Sequence, residues 1–329
     1  MNISTKFIMK GWLENFSPSL FTSVMGIAGL AISWRVAHGS VAVNYNVGEV
    51  LAVAAFILFA ILSILYVVKA LAFKDAFFRD FRKIERLCFV PAIPTSCLLL
   101  SILARPYDSE VATILWIFAA PVNLLLAVII VKRWLFEEQK IESMTAVWFF
   151  PIVGNAVVPI AGVPLGFEEE SWPFFSIGLV FWMVIFAVAF LRLVFEKALQ
   201  HKQIPTMVIM ISPPATLFIA YFELSKGNID VLSMALIYSA FFMFFVLLIA
   251  IKEISFAPTS MALWSITFPL ESLTIATFKY FEATQWDWFA WGGVFLLSIT
   301  TVSVTVVVFR SIFAMQKGYR VAIENGTQQ

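Results

Sequence analysis

Residues 264–277 read Trp264-Ser265-Ile266-Thr267-Phe268-Pro269-Leu270-Glu271-Ser272-Leu273-Thr274-Ile275-Ala276-Thr277. A proline stands in the middle of an apolar run, with an aromatic ring before it and an acid two residues after it. Proline inside a helix lacks a backbone donor and collides with the preceding turn, so it kinks or breaks the helix. In lipid such a defect is tolerated only where the freed backbone groups are buried in protein or face a water-filled cavity. Outward from this run, the same feature recurs in every second apolar stretch of the chain. Pro18 lies in the first, Pro94 in the third, Pro159 in the fifth, Pro213 in the seventh and Pro269 in the ninth. The even stretches lack an interior proline, apart from Pro121 in the fourth. The alternation predicts an inner ring of five broken helices around a path, sheathed by five straighter ones.

Composition sets the class. The chain of 329 residues is 61% hydrophobic and 13% charged, against about 45–50% apolar and about 25% charged in a soluble globular protein. This is the composition of an all-α integral membrane protein. A span needs about 20 apolar residues, and ten can be read, at approximately 17–37, 48–71, 88–104, 110–132, 146–165, 173–196, 206–223, 229–252, 260–281 and 287–313. The connections are short, so 1–329 reads as a single transmembrane domain. Lys6, Lys10, Trp12 and Glu14 mark the N-terminal lead as amphipathic rather than as a cleaved signal.

The net charge of +1 conceals a strong asymmetry. All Lys and Arg except Arg35, Arg105, Lys226 and Lys279 fall in the two tails or after even-numbered spans, with Lys69, Lys74, Arg79, Arg82, Lys83 and Arg86 the densest group. The opposite loops are acidic, with Asp108, Glu110, Glu168 to Glu170 and Asp230. By the positive-inside rule both termini are cytoplasmic, which requires an even number of spans. The short tails point to a bacterial inner (plasma) membrane. A basic cytoplasmic apron of this kind reports topology and lipid contact, not nucleic-acid binding.

The chemistry of soluble enzymes is missing. His38 and His201 lie at span ends on opposite sides, so no histidine metal site or triad can form within one chain. No Walker-type glycine loop exists for ATP, and a membrane-embedded enzyme would need clustered ligands at one depth. No enzyme activity, cofactor or metal is expected. Cys88 and Cys97, nine residues apart in one span, are too far apart along a helix for a bridge and read as apolar fillers.

Trp264-Ser265-Ile266-Thr267-Phe268-Pro269-Leu270 resembles the corresponding segment of the plant slow-type anion channels and the bacterial TehA tellurite-resistance proteins, the tellurite-resistance/dicarboxylate transporter family. Other odd spans agree with it. Phe21, Gly26, Gly29, Leu30 and Trp34 are similar to the family's opening helix, and Phe89 and Pro94 keep the spacing of its third. Val153-Gly154-Asn155 resembles the Val-Gly-Asn of plant members, and Met207 with Ser212-Pro213 resembles its Met and Ala-Pro. The resemblance implies five helical hairpins with the odd helices lining a central pore, a homotrimer with one pore per subunit, and passive permeation of small anions. It also implies that Phe268 occludes the pore.

The residues agree in part. No Lys or Arg stands at the centre of a span, so an anion would meet hydroxyl and amide dipoles rather than a fixed positive charge. Candidate lining groups are Thr22, Ser23, Thr95, Ser96, Asn155, Ser212, Thr216, Thr267 and Ser272, with Phe21 or Phe89 as rings opposing Phe268. Such a lining substitutes weakly for hydration, and weak binding favours fast release. Against this, Ser and Thr in apolar helices often bond back to their own backbone.

Glu271 departs from the pattern, because plant and TehA members carry a small or hydroxyl residue there. It follows Phe268 by three positions, only about 60° around the helix axis, and an intramembrane acid is a functional candidate by default. Three roles are open. It is held against backbone donors or Lys279, about 12 Å further along the helix. It gates the pore with pH. Or it carries a proton for coupled transport. The leading reading is a passive channel for chloride, nitrate and similar anions. The alternative is a proton-coupled secondary transporter of a C4-dicarboxylate such as malate, of sulfite, or of a tellurite-type oxyanion. The hairpins show no division into two inverted halves, which favours the channel.

Overall fold

A helix that crosses lipid must satisfy its own backbone, and the computed structural model, which describes residues 11–201, 203–252 and 261–326, is built almost wholly of such helices. Ten long ones follow in order: α1 Thr22–Val41, α2 Tyr45–Ala72, α3 Ala92–Ala104, α4 Ser109–Phe136, α5 Phe150–Gly162, α6 Glu168–Phe195, α7 Ser212–Leu224, α8 Val231–Ile249, α9 Thr267–Thr284 and α10 Asp287–Gly326. Lys6 and Lys10 of the expected lead, and residue 260 of the expected ninth span, lie outside the described residues.

The odd spans share a second feature: each starts with a segment that is not part of its α-helix. Four of these are 3-10 helices, Pro18–Phe21, Ala146–Phe149, Ile204–Ile211 and Met261–Ile266. In the third span the short helix Ile84–Leu87 and a turn precede α3. This corrects the expected action of the prolines. Pro18 and Pro213 fall in the first two positions of their helices, and Pro94 and Pro269 are the third residues of α3 and α9. There the missing N–H would have no partner in any case, so proline starts the helix rather than kinks it. In the fifth span Pro151 takes that place, while Pro159 lies inside α5.

Burial separates the two sets of helices. In the first, third, fifth and seventh spans, 72% to 89% of the most apolar window is buried; in α2, α4, α6, α8 and α10 the figure is 17% to 39%. The contacts close into two concentric layers. α1 packs on α3, α3 on α5, α5 on α7, α7 on α9, and α9 back on α1. Each even helix packs on the odd helix before it and on the next odd helix round the ring, α10 completing the circle on α9 and α1. The core is thus a ring of five, wrapped by five.

Among the described residues nine helices are long and apolar enough to span a membrane, and α9 is not one of them. It carries Glu271, Lys279 and Glu282. It needs little apolar surface, because Thr267 to Phe278 are all buried within the protein. Length and composition therefore count nine, one fewer than the ten expected, because those measures assume a lipid-facing helix.

Two polar clamps pin the ends of the ring. On the basic side Lys69, at the end of α2, is fully buried and donates to Asp80 at 2.5 Å and to the Phe16 carbonyl at 2.7 Å, while Arg86 reaches Asp80 at 2.9 Å. This holds the surface helix Lys74–Arg82 against the bundle. At the other end Arg35 of α1 grips both oxygens of Glu49 on α2, at 2.7 and 2.9 Å, and the Leu103 carbonyl of α3 at 2.8 Å.

The candidate pore and its constriction

At the centre of the ring, where the 3-10 segments give way to α-helix, lies a narrow cavity of about 10 Å³, room for a single water at most. It is lined by Thr22 and Met25 from α1, Phe150 and Val153 from α5, and Ile209 and Ser212 at the start of α7. Trp264, Ser265, Phe268 and Pro269 complete it at the start of α9. Among the described residues no charged side chain lines it. Phe268 and Phe150 are 9% and 7% exposed, so the rings fill this space rather than border an open channel.

Of the residues singled out from sequence, Phe268, Ser212 and Thr22 line the constriction. Phe21 does not. It is fully buried and packs on Phe59 and Tyr66 of the outer helix α2, with ring centroids 5.8 and 6.1 Å away. Phe89 lies 5.3 Å from the Phe150 ring and lines a separate, wider vestibule of about 880 Å³ on the side of the basic loops. The ring opposed to Phe268 across the constriction is therefore Phe150. Sequence reasoning passed over it, although Phe150-Pro151 and Phe268-Pro269 are the same dipeptide at the same place in two inner helices.

Most candidate hydroxyls are committed to the backbone at these helix starts. Thr22 donates to the Ser19 carbonyl and Ser23 to Leu20, both at 2.6 Å; Thr267 donates to Trp264 at 2.9 Å and Ser272 to Phe268 at 2.9 Å. Ser96 donates to Ala92 at 2.7 Å and to Phe21 of α1 at 3.3 Å, and the Asn155 amide donates to Pro151 at 2.7 Å. A hydroxyl whose proton is so used has none to offer an anion. Thr216 donates to Ser272 at 3.3 Å, tying α7 to α9, and lies 3.4 Å from Ser212. Thr95 faces α4, where Asn123 donates to it at 3.5 Å.

Glu271 is not among the residues that line the constriction. Its carboxylate packs on α1 at Gly29, so closely that a methyl group there would lie 1.9 Å from Oε2. Gly26, one turn earlier, gives the same close approach to Thr267. Small residues at a helix crossing let the backbones meet, and here they seat the polar face of α9. Glu271 is fully buried, and neither oxygen has a hydrogen-bond partner among the described residues. The partnership expected with Lys279 is not formed, because Lys279 pairs with Glu223 at 3.6 Å and Glu282 at 3.3 Å. Cys88 and Cys97 are buried and unbridged.

The family model for the voltage-dependent anion channel, SLAC1, matches residues 15–312. Among curated proteins the chain is 28% identical over 282 residues to the S-type anion channel SLAH2 of Arabidopsis thaliana, covering 82% of this chain and 54% of that one. It is 24% identical to the guard cell S-type anion channel SLAC1 of the same plant, covering 83% and 51%. It is 21% identical to the tellurite resistance protein TehA homolog of Haemophilus influenzae, covering 89% of both chains. The chain spans about half the length of the two plant relatives. A ring of broken inner helices closing on an uncharged constriction, matched to one family model from residue 15 to residue 312, places this chain in the SLAC1 voltage-dependent anion channel family.

Proposed function

We propose that this protein is a passive channel for small anions such as chloride and nitrate, held shut by Phe268. The observation that carries the reading is the constriction at the centre of the five-helix ring, where Phe268 and Phe150 fill an uncharged space. A mostly apolar lining with no fixed charge holds an anion weakly and releases it fast, as conduction requires. An aromatic plug blocks wetting without placing a charge in the path. The names of the plant relatives support anion as the cargo. The test is anion flux into liposomes, wild type against Phe268→Ala. The variant should raise chloride and nitrate flux at least tenfold, with little discrimination between them; equal flux in both proteins would remove Phe268 from the gate.

A second reading is favoured by one observation, the buried and unpartnered carboxylate of Glu271. In a proton-coupled transporter of a C4-dicarboxylate, sulfite or tellurite-type oxyanion, Glu271 would carry the proton. Wild-type uptake would then follow an imposed pH gradient, and Glu271→Gln would abolish that dependence. A pH gradient without effect on wild-type uptake removes this reading and leaves the channel.

Three further proposals rest on family likeness and charge. The protein assembles as a homotrimer with one pore per subunit, which light scattering of the purified protein measures. The basic ends of the even spans face the cytoplasm, with both termini on that side. The membrane is the bacterial inner membrane.

A further inference from the structure

The vestibule in front of Phe89 contains a charge that the conduction reading does not use. Arg192, in the last turn of α6, is one of its lining residues and is only 6% exposed. Its Nε and Nη1 are buried and have no hydrogen-bond partner among the described residues. No carboxylate there lies within ion-pair distance of it. A buried guanidinium is ordinarily paired, because an uncompensated charge removed from water is strongly unfavourable. The other charged groups of the vestibule differ in kind: Lys197, Glu85 and Glu142 are exposed at its rim, where water screens them.

We infer that Arg192, with Lys197 at the rim, forms a binding site for a small oxyanion of the carboxylate or phosphate type. The planar guanidinium presents several N–H donors to such groups and binds them with charge-assisted hydrogen bonds. Thr145 and Gln203 add a hydroxyl and an amide to the same lining. Phe89 links this site to the constriction, since it lines the vestibule and packs on Phe150, which lines the narrow cavity. An oxyanion on Arg192 sits one aromatic step in front of the plug. That the site lies on the conduction route rests on the channel reading; that it binds an oxyanion does not.

The experiment is a thermal-unfolding titration of the full-length protein in detergent with inorganic phosphate and with acetate, ionic strength held constant with sodium chloride. A ligand that binds only the folded state raises the melting temperature in a saturable way. Wild type should show that saturation, Arg192→Gln should need at least tenfold more anion for half the effect, and Lys197→Gln severalfold more. A wild type that responds no more than it does to chloride, or an Arg192→Gln protein that titrates like wild type, overturns the site. If Arg192→Gln does not fold, Arg192→Lys replaces it: several-fold weaker binding supports the site and unchanged binding overturns it.

Flux through Phe268→Ala then separates the sources of the anion. A permeant anion entering by this site shows a raised half-saturating concentration when Arg192→Gln is added. A regulatory anion changes chloride flux without itself being carried. If Phe268→Ala conducts nothing, the titration still decides the binding site, and it is the channel reading that fails.

Discussion

Phe268 and Phe150 are each followed by proline in the first turn of an inner helix, where its missing N–H needs no partner. Both rings lie at the constriction. Phe150→Ala should therefore leak anions as well, by less than Phe268→Ala, because Trp264, Pro269 and Phe268 still close the α9 side of the cavity. Liposome flux measures this, and a Phe150→Ala protein as tight as wild type would make Phe268 the sole plug. At Gly29 the constraint is space. Gly29→Ala would press a methyl group to 2.8 Å from the Glu271 carboxyl carbon, so this fully buried side chain would have to move. Overpacking of this kind costs about 1–3 kcal/mol. The melting temperature should fall in Gly29→Ala and recover when Glu271→Ala is added, and two losses that simply add would show that the glycine serves another purpose.

The 3-10 starts of the odd spans explain why so many hydroxyls stand there. A change from 3-10 to α weakens the backbone hydrogen bonds at the junction, and side-chain hydroxyls there can add to them. Thr22, Ser23, Thr267 and Ser272 do so. The segment Ile204–Ile211 keeps 3-10 geometry for eight residues, longer than the three or four that are usual. Outside the membrane the elements are held by ions. Asp80→Ala would leave the buried ammonium of Lys69 with the Phe16 carbonyl alone, at a cost of about 3–5 kcal/mol, and should lower the melting temperature by several degrees; Asp80→Ala with Lys69→Met should recover much of the loss. Asp230, which caps α8, is held below the ordinary aspartate range first by the Tyr221 hydroxyl at 2.5 Å and then by the Ser233 backbone. Its contribution is thus complete above the ordinary aspartate value of about 3.9 and is lost as pH falls through the lower folded value. Tyr221→Phe brings the two values together, so the variant should melt below wild type at pH 6 and its deficit should shrink as pH falls towards 3. Coincident melting-temperature curves between pH 6 and 3 for the two proteins would refute this.

On the scale of the whole molecule, the contact of α9 with α1 closes the ring within a single chain. A ring closed in this way needs no second copy of the chain to complete it. When wild type and Phe268→Ala are mixed in one population, flux should rise in proportion to the mutant fraction. A curve that bends sharply upward would mean that subunits open together. The two layers also divide the tolerance to substitution. The outer helices carry exposed apolar positions such as Ile57, Ile64, Phe118 and Leu125, which meet lipid or a neighbouring subunit. The inner helices are packed on every side.

The alternation of proline-bearing and proline-free spans was legible in the residues because broken backbone cannot face lipid, and so the order of the two layers was legible too. The run Trp264 to Leu270 also singled out Phe268, which lines the narrow cavity. The orientation of the side chains was not legible. Phe268 and Glu271 stand 60° apart on paper, yet one faces the cavity and the other faces Gly29, because only the neighbouring helix decides which side of α9 is the axis. Phe21 was read as facing the path and belongs to the interface with α2, and most of the hydroxyls read as lining are spent on backbone carbonyls of their own spans. The charge of Arg192 was part of a topological count. Its burial without a partner exists only where α6 ends against the vestibule. Sequence determined which helices lie inside, because solvation by lipid acts on a residue type wherever it stands. Tertiary structure decided what each residue touches, because a contact belongs to two elements at once.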